Sequence, residues 1–410
     1  MMQPYIDSFI SNCKGALIMG HPLKYIEIMH NIGVCNMKKP IQVLQVAFTY
    51  IGTLAGAGFG SGREVIQFFT GFGWFAIVSI VVTTILLVWI GMKIMLLAND
   101  LQAKTYGDLN RMLFGNVVSK FLGIYTMIIL FLFTSAMMAG SGAVFHEQLN
   151  IPLQLGLVIT FICAYLVLIR GIQAIMNVNI VIIPVILIFT VILVVHTSES
   201  PSVSNWITLQ VEPTSNSFWY YINKYTGALC YTGFNLAIAQ TILVPLGAAI
   251  KDRNVLKWGA VIGGITLGLL LISAHFILSA QMPGIAQYEV PMANLMNDFS
   301  GVIVVFYIVV LFGQIFTTLI ADAYGFISQI KERWMLNIKW IVLLMLIPCF
   351  IISQYGFKDL LSILYPVFSG ISLIWLIMLI IKRRPKIEQI PNESFHLDIP
   401  SDTQCPAEMK

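Results

Sequence analysis

The chain has 410 residues, 58% of them hydrophobic and 10% charged, with a formal net charge of +4. Soluble domains carry about 25% charged residues, so 19 acidic and 23 basic side chains cannot clothe a water-soluble body of this length. A soluble enzyme, a nucleic-acid reader and a disordered chain are excluded, which leaves an all-α, polytopic membrane protein.

In chain order, residues 1–36 hold no span, and the short GALIMG run at Gly15–Gly20 is not the apolar core of a signal peptide. The string MKKPIQVLQ from Met37 reads as a start just before the first span, so 1–36 is expected to be a dispensable extension. A helix needs about 20 apolar residues to cross a bilayer. Runs of that kind fall near 41–70, 72–97, 119–145, 152–169, 175–196, 219–248, 257–281, 301–327, 338–354 and 359–381. Ten spans are expected within a transporter domain at 37–384, followed by a cytoplasmic tail at 385–410. The first, third, sixth and eighth runs are long enough to need tilt, a break or an extramembrane end.

Placing the N-terminus inside puts 20 of the 23 Lys and Arg residues on the cytoplasmic side, and leaves Arg63, Lys224 and Lys358 towards the outside. That bias makes both termini cytoplasmic in a multi-pass membrane protein. The six cysteines (13, 35, 163, 230, 349 and 405) form no CxxC pair and no metal-ligand spacing, so no disulfide framework is implied.

The first span contains GTLAGAGFGSGRE, with glycines at 52, 56, 58, 60 and 62. Each Gly costs a helix interior about 1 kcal/mol against Ala. A packing motif needs two small residues on one face, whereas these run round the whole helix, so an unwound stretch is expected. The sixth span, KYTGALCYTGFNLAIAQTILVPLG, places Gly227 and Gly233 beside Thr226, Tyr231, Thr232 and Asn235 and is expected to be interrupted as well. Interruptions at spans one and six are the layout of a five-plus-five inverted repeat, with halves near 41–196 and 219–381. Such breaks mark a central binding site, so the substrate candidates are Gly56, Ala57, Gly58, Phe59, Gly60 and Ser61 with Tyr231, Thr232, Gly233, Phe234 and Asn235. Neither break carries an obligatory acid, so unwound backbone is expected to hold the charged groups of the ligand.

GAGFGSGRE in the first span, NLAIAQTILVPLG in the sixth and FHEQLNIP after the third resemble the YkvI-like amino-acid permeases of bacteria. That family sits in the amino acid–polyamine–organocation superfamily, with the leucine-transporter-type fold, and the resemblance covers about Met37 to Arg384. In the eighth span, Gln314, Thr318 and Asp322 lie at i, i+4 and i+8 on one stripe, with Thr317 beside it. The resemblance implies a Na⁺ site built from the Thr317 and Thr318 hydroxyls and carbonyls near Gly56 and Phe59, and oxygen donors suit that hard cation. Membrane Thr also commonly bonds its own i−4 carbonyl. Some proton-coupled relatives carry a Lys in the fifth span; here that span has none, which favours Na⁺. Asp322 is the alternative proton carrier, or a carboxylate facing cytoplasmic water.

Arg63, Glu64 and Gln67 follow the first break and read as an outer gate, a substrate contact or a local ion pair at the rim. Gln314 and Asp322 join them as gating or coupling candidates. His146 and Glu147 read as loop-edge residues, and His275 as a hydrogen-bonded structural histidine. The function expected is secondary active transport of an amino acid or similar zwitterion, with no organic cofactor and no partner beyond the solute and the lipid bilayer. A non-transporting sensor on the same fold is the second reading. No Walker A loop and no nucleophile–base spacing supports a pump or an intramembrane enzyme.

Overall fold

The computed structural model describes residues 39–103, 105–170, 173–200, 202, 204–209, 218–295, 299, 301–331 and 337–382. The expectations for 1–36 and 385–410 lie outside the described residues. Every regular element described is helical: α1 (Lys39–Leu54), α2 (Ala57–Ser61), α3 (Arg63–Phe68), α4 (Phe75–Leu101), α5 (Tyr106–Leu149), α6 (Leu153–Arg170) and α7 (Gln173–Ser198) form the first half of the chain. The second half holds α8 (Asn205–Thr208), α9 (Phe218–Ala249), α10 (Arg253–Ala280), α11 (Pro291–Asn294), α12 (Gly301–Lys331), α13 (Ile338–Ser353) and α14 (Phe357–Ile381). Six of the helices described, α4, α5, α9, α10, α12 and α14, are long and apolar enough to cross a membrane. The chain is an all-helical membrane protein.

The sequence dictates where these helices start and bend. Thr105 accepts from the Asp108 amide while Asp108 accepts from the Thr105 amide, a reciprocal cap that opens α5. Nine residues into α5, Gly115 sits at φ 82°, a left-handed conformation that glycine adopts without a Cβ penalty. The kink there separates a short leading helix from the apolar remainder of α5 and lies just ahead of the third run at 119–145. Lys93 Nζ donates to the carbonyls of Leu379 and Ile380, and Asn99 Nδ2 to those of Gly247 and Ile250. The otherwise unpaired C-terminal carbonyls of α14 and α9 are thereby satisfied from α4.

The expected break in the sixth span is not present: α9 runs as one continuous helix from Phe218 to Ala249. Two glycines cost only about 2 kcal/mol of helix propensity together. The polar side chains do not pull the backbone apart, because Thr226, Thr232 and Asn235 each donate to the carbonyl four residues earlier in the same helix. The glycines serve packing instead. A Cβ on Gly233 would stand 3.0 Å from the Ser372 carbonyl of α14, and one on Gly227 3.0 Å from the Phe68 carbonyl of α3.

The tightest such approach joins α9 to α4, where a Cβ on Gly247 would meet Met95 backbone atoms at 3.0 Å or less. Backbone cannot step aside as a flexible side chain can, so Gly247→Ala is expected to cost about 1–3 kcal/mol in thermal unfolding. Gly370→Ala is the control, because nothing lies within 4 Å of its Cβ position. That variant should be neutral or stabilise by up to about 1 kcal/mol.

Candidate functional site

The first span breaks as expected, but more narrowly. Helix α1 ends at Leu54, and Gly56 adopts an extended backbone (φ −76°, ψ −165°) before the single turn of α2. Gly58 and Gly60 lie inside that turn rather than in an unwound strand. A second discontinuity follows at Gly62, whose φ of 85° lets α3 leave in a new direction. The Ser61 hydroxyl donates to the Gly58 carbonyl at 3.0 Å and accepts from the Arg63 amide.

Carbonyls freed at such a break must find donors. Gln314 of α12 supplies one: its Nε2 donates to the carbonyls of both Ala55 and Gly56. Gly56 also accepts from the Gly60 amide at 3.0 Å, and Phe59 from the Gly62 amide at 3.0 Å. One turn further along α12, Thr318 faces the break, since a Cβ on Gly56 would lie 3.6 Å from its Oγ1. Thr317 and Thr318 both donate to the Gln314 carbonyl, a backbone bond of the kind Thr126, Thr134 and Thr160 make to their own helices. A hydroxyl that donates in this way keeps its lone pairs, so cation coordination is compatible with it. Thr318 and Gly56 are thus brought together, while the Phe59 carbonyl is engaged within α2. Asp322, one turn beyond Thr318, is buried.

Arg63 and Glu64 separate completely. The Arg63 guanidinium donates to the carbonyls of Ala286, Tyr288 and Glu289 in the loop that follows α10. That loop is pinned twice more: Glu147 at the end of α5 accepts from the Glu289 and Val290 amides, and Glu289 accepts from the Lys358 amide of α14. Burial raises the Glu289 carboxyl above the usual carboxylate range, and the Lys358 amide and Arg63 oppose that shift. Gln67 is half-buried on α3 and makes no hydrogen bond among the described residues.

Glu64 turns the other way, into the protein. Its Oε1 accepts from the Tyr365 hydroxyl of α14 at 3.1 Å, and its carboxyl occupies the space where a Gly58 Cβ would stand. Rings surround the pair. Phe68 meets Tyr365 and Tyr231 edge-on at 5.2 and 5.5 Å between centroids. Phe234 meets Tyr365 at 5.5 Å, and Phe133 of α5 meets Phe234 at 5.0 Å. Tyr231 and Phe234 therefore gather at the centre with α2, whereas Thr232, Gly233 and Asn235 bond or pack within α9 and against α14. The expectation that backbone alone would meet a charged ligand needs correction, because α3 swings a carboxylate in beside the break. Sequence reasoning missed Tyr365, Phe68 and Phe133; a lone mid-span tyrosine before Pro366 was the available signal. His275 bridges the Thr70 hydroxyl and the Trp206 carbonyl, as a structural histidine would.

No family model matches the chain. The membrane protein YkvI of Bacillus subtilis (strain 168) is 34% identical over 345 residues, spanning 83% of this chain and 96% of YkvI. The chain belongs to the YkvI family. YyaD of the same organism is 24% identical to this YkvI-family chain, over 81% of it and 94% of YyaD. Among solved structures, MhsT in complex with L-phenylalanine is similar with a TM-score of 0.64 at 12% identity, covering 82% of this chain and 88% of MhsT. Mhp1 in its inward-facing conformation follows at TM-score 0.55 and 16% identity, covering 81% of this chain and 75% of Mhp1. These likenesses give the chain a leucine-transporter-type fold.

Gln314 tests the break directly. Gln314→Leu strips the donor from the Ala55 carbonyl, which costs about 1–3 kcal/mol when unpaired, while Gly56 keeps the Gly60 amide. Thermal unfolding in detergent should therefore show a drop of that order or more, whereas a variant with wild-type stability would show that water replaces the amide.

Proposed function

We propose that the chain is a secondary active transporter that moves a small organic solute, an amino acid or related amine-bearing compound, by alternating access with Na⁺ as the coupling ion. The observation that carries this reading is the broken first span, whose carbonyls accept from Gln314 and whose Gly56 lies against Thr318 of α12, beside a buried carboxylate and a ring cluster. The fold shared with MhsT and Mhp1 supports it.

In this reading there are ten crossings: α1–α3, α4, α5, α6 and α7, then α9, α10, α12, α13 and α14. Pairing across the bundle supports an inverted five-plus-five arrangement. The packing of α4 on α9 has its counterpart in that of α10 on α1, and α5 packs on α12, its own equivalent. The α9 helix departs from α1–α3 in being continuous, so the two halves are alike in placement and not in local backbone. The basic end of the bundle is read as cytoplasmic. There Lys39 at the start of α1 pairs with Asp252 at 3.0 Å, and Arg253 pairs with Asp100. Lys39 and the Asn254 amide hold the Asp252 carboxyl below its ordinary range. The opposite end is sealed by Arg63 on its three carbonyls, which serves as the outer gate.

Reconstituted into liposomes, the protein should accumulate a tracer amino acid or amine under an inward Na⁺ gradient; a sensor would bind the same ligand and move none. Thr317→Ala with Thr318→Ala should raise the Na⁺ concentration needed for substrate binding by about tenfold or more, at about 1.5–3 kcal/mol for each charge-assisted oxygen ligand removed. Asp322→Asn should matter less. Should Na⁺ leave the wild type indifferent while Asp322→Asn abolishes pH-dependent uptake, coupling runs on protons through Asp322.

A further inference from the structure

Glu64 is placed where a carboxylate is costly. It is 7% exposed, and of its two oxygens only Oε1 has a partner, the Tyr365 hydroxyl. Oε2 is buried with no hydrogen bond at all. Arg63, its neighbour in sequence, has committed its guanidinium to the loop carbonyls. Among the described residues no Lys, Arg or His forms an ion pair with Glu64. An ionised carboxylate among carbon neighbours without a counter-charge costs several kcal/mol, so Glu64 either carries a proton or takes a cation at Oε2.

The surroundings specify which kind of cation. The Tyr365 ring that holds Oε1 packs edge-to-face against Phe68 and Phe234, and Phe68 against Tyr231, at interplanar angles of 64–80°. Ring faces attract organic cations within about 6 Å of their centroids. Ca²⁺ and Mg²⁺ instead take six or more oxygen ligands, and the described residues hold no group of three or more His, Cys, Asp or Glu that could bind one. A quaternary ammonium would meet the rings but leave Oε2 without a donor. An N–H-bearing ammonium satisfies both requirements at once, giving a charge-assisted hydrogen bond to Oε2 and cation–π contact with the rings. A free carboxylate or phosphate end would be repelled.

We propose that Glu64, with the rings of Tyr231, Phe234 and Tyr365, is the subsite that binds the ammonium group of the transported solute. The proposal rests on the transport reading above and narrows it. The carried compound must present a primary or secondary amine, and a side-chain carboxylate rather than the unwound backbone receives it.

The test uses full-length protein in detergent and matched probes: leucine, isoamylamine and 4-methylpentanoate, then phenylalanine, phenethylamine and 3-phenylpropanoate. The expected result is that amine-bearing members raise the thermal transition of the wild type while their amine-free isosteres do not. Glu64→Gln should need about 10- to 100-fold more amine for the same shift, and Glu64→Asp should recover part of it. The wild-type comparison decides alone if Glu64→Gln fails to fold. Stabilisation by the amine-free acids equal to that by the amines, no response to any amine, or unchanged amine binding in folded Glu64→Gln would each overturn the subsite. Tracer flux separates this from the transport reading. Amine binding without flux removes transport and keeps the subsite, whereas flux of a solute without an amine keeps transport and removes the subsite.

Discussion

Inside a hydrocarbon core every backbone N–H and C=O must be satisfied by the protein itself, and the architecture follows from how this chain meets that demand where it breaks a helix. Ending α1 at Leu54 releases the carbonyls of Ala55 and Gly56, and the side chain that answers them comes from α12, 258 to 259 residues away. The break is therefore tolerable only in the assembled bundle. The same constraint explains the terminal hydrogen bonds, where Lys93 and Asn99 of α4 take up carbonyls that the ends of α14 and α9 leave open. Polar side chains in this protein serve chiefly the backbone.

The same demand shows why one helix broke and another did not. The first span concentrates five glycines in eleven residues and has no hydroxyl between Leu54 and Gly60 to satisfy the freed carbonyls locally. The sixth spreads its glycines at 227, 233 and 247 along the helix, and Thr226, Thr232 and Asn235 each fold back on their own carbonyl row. Glycine density carried information and mere polarity did not, because a Thr or Asn in lipid looks the same in sequence whether it faces a ligand or its own i−4 carbonyl. The helical runs themselves were legible throughout, since apolar length is a one-dimensional signal. Gly115 was less so: a single glycine at a kink is indistinguishable in sequence from one used for packing.

The site was legible in part for the same reason. The stripe of Gln314, Thr318 and Asp322 follows from helical spacing, and the structure lays its first two members against the break. That Gln314 caps carbonyls rather than meeting a solute is invisible without the partner. The Glu64–Tyr365 contact joins residues 301 apart, and no local pattern encodes it. The ring cluster fails to stand out in a chain with 26 Phe and 15 Tyr, where aromatic residues are abundant and most pack between helices or face lipid.

The separation of Arg63 from Glu64 is the feature with the widest mechanical consequence. Consecutive residues on a helix do not face each other, so adjacent opposite charges here reach different sides of one short element. Helix α3 is bounded by the left-handed Gly62 before it and by the irregular Phe69 after it, which sets six residues apart from the neighbouring helices as one short body. Its first residue seals the loop after α10 and its second reaches the buried carboxyl site. Any tilt of α3 that lengthens the three Arg63 bonds must also shift Glu64 relative to Tyr365 and Gly58. A ligand held at Glu64, as proposed above, would interact differently with α3 in its present position and in a tilted one, which is the thermodynamic requirement for biasing the seal. Coupling of site occupancy to the gate then needs no chain of intermediates, because both ends of the link are side chains of neighbouring residues on one rigid turn.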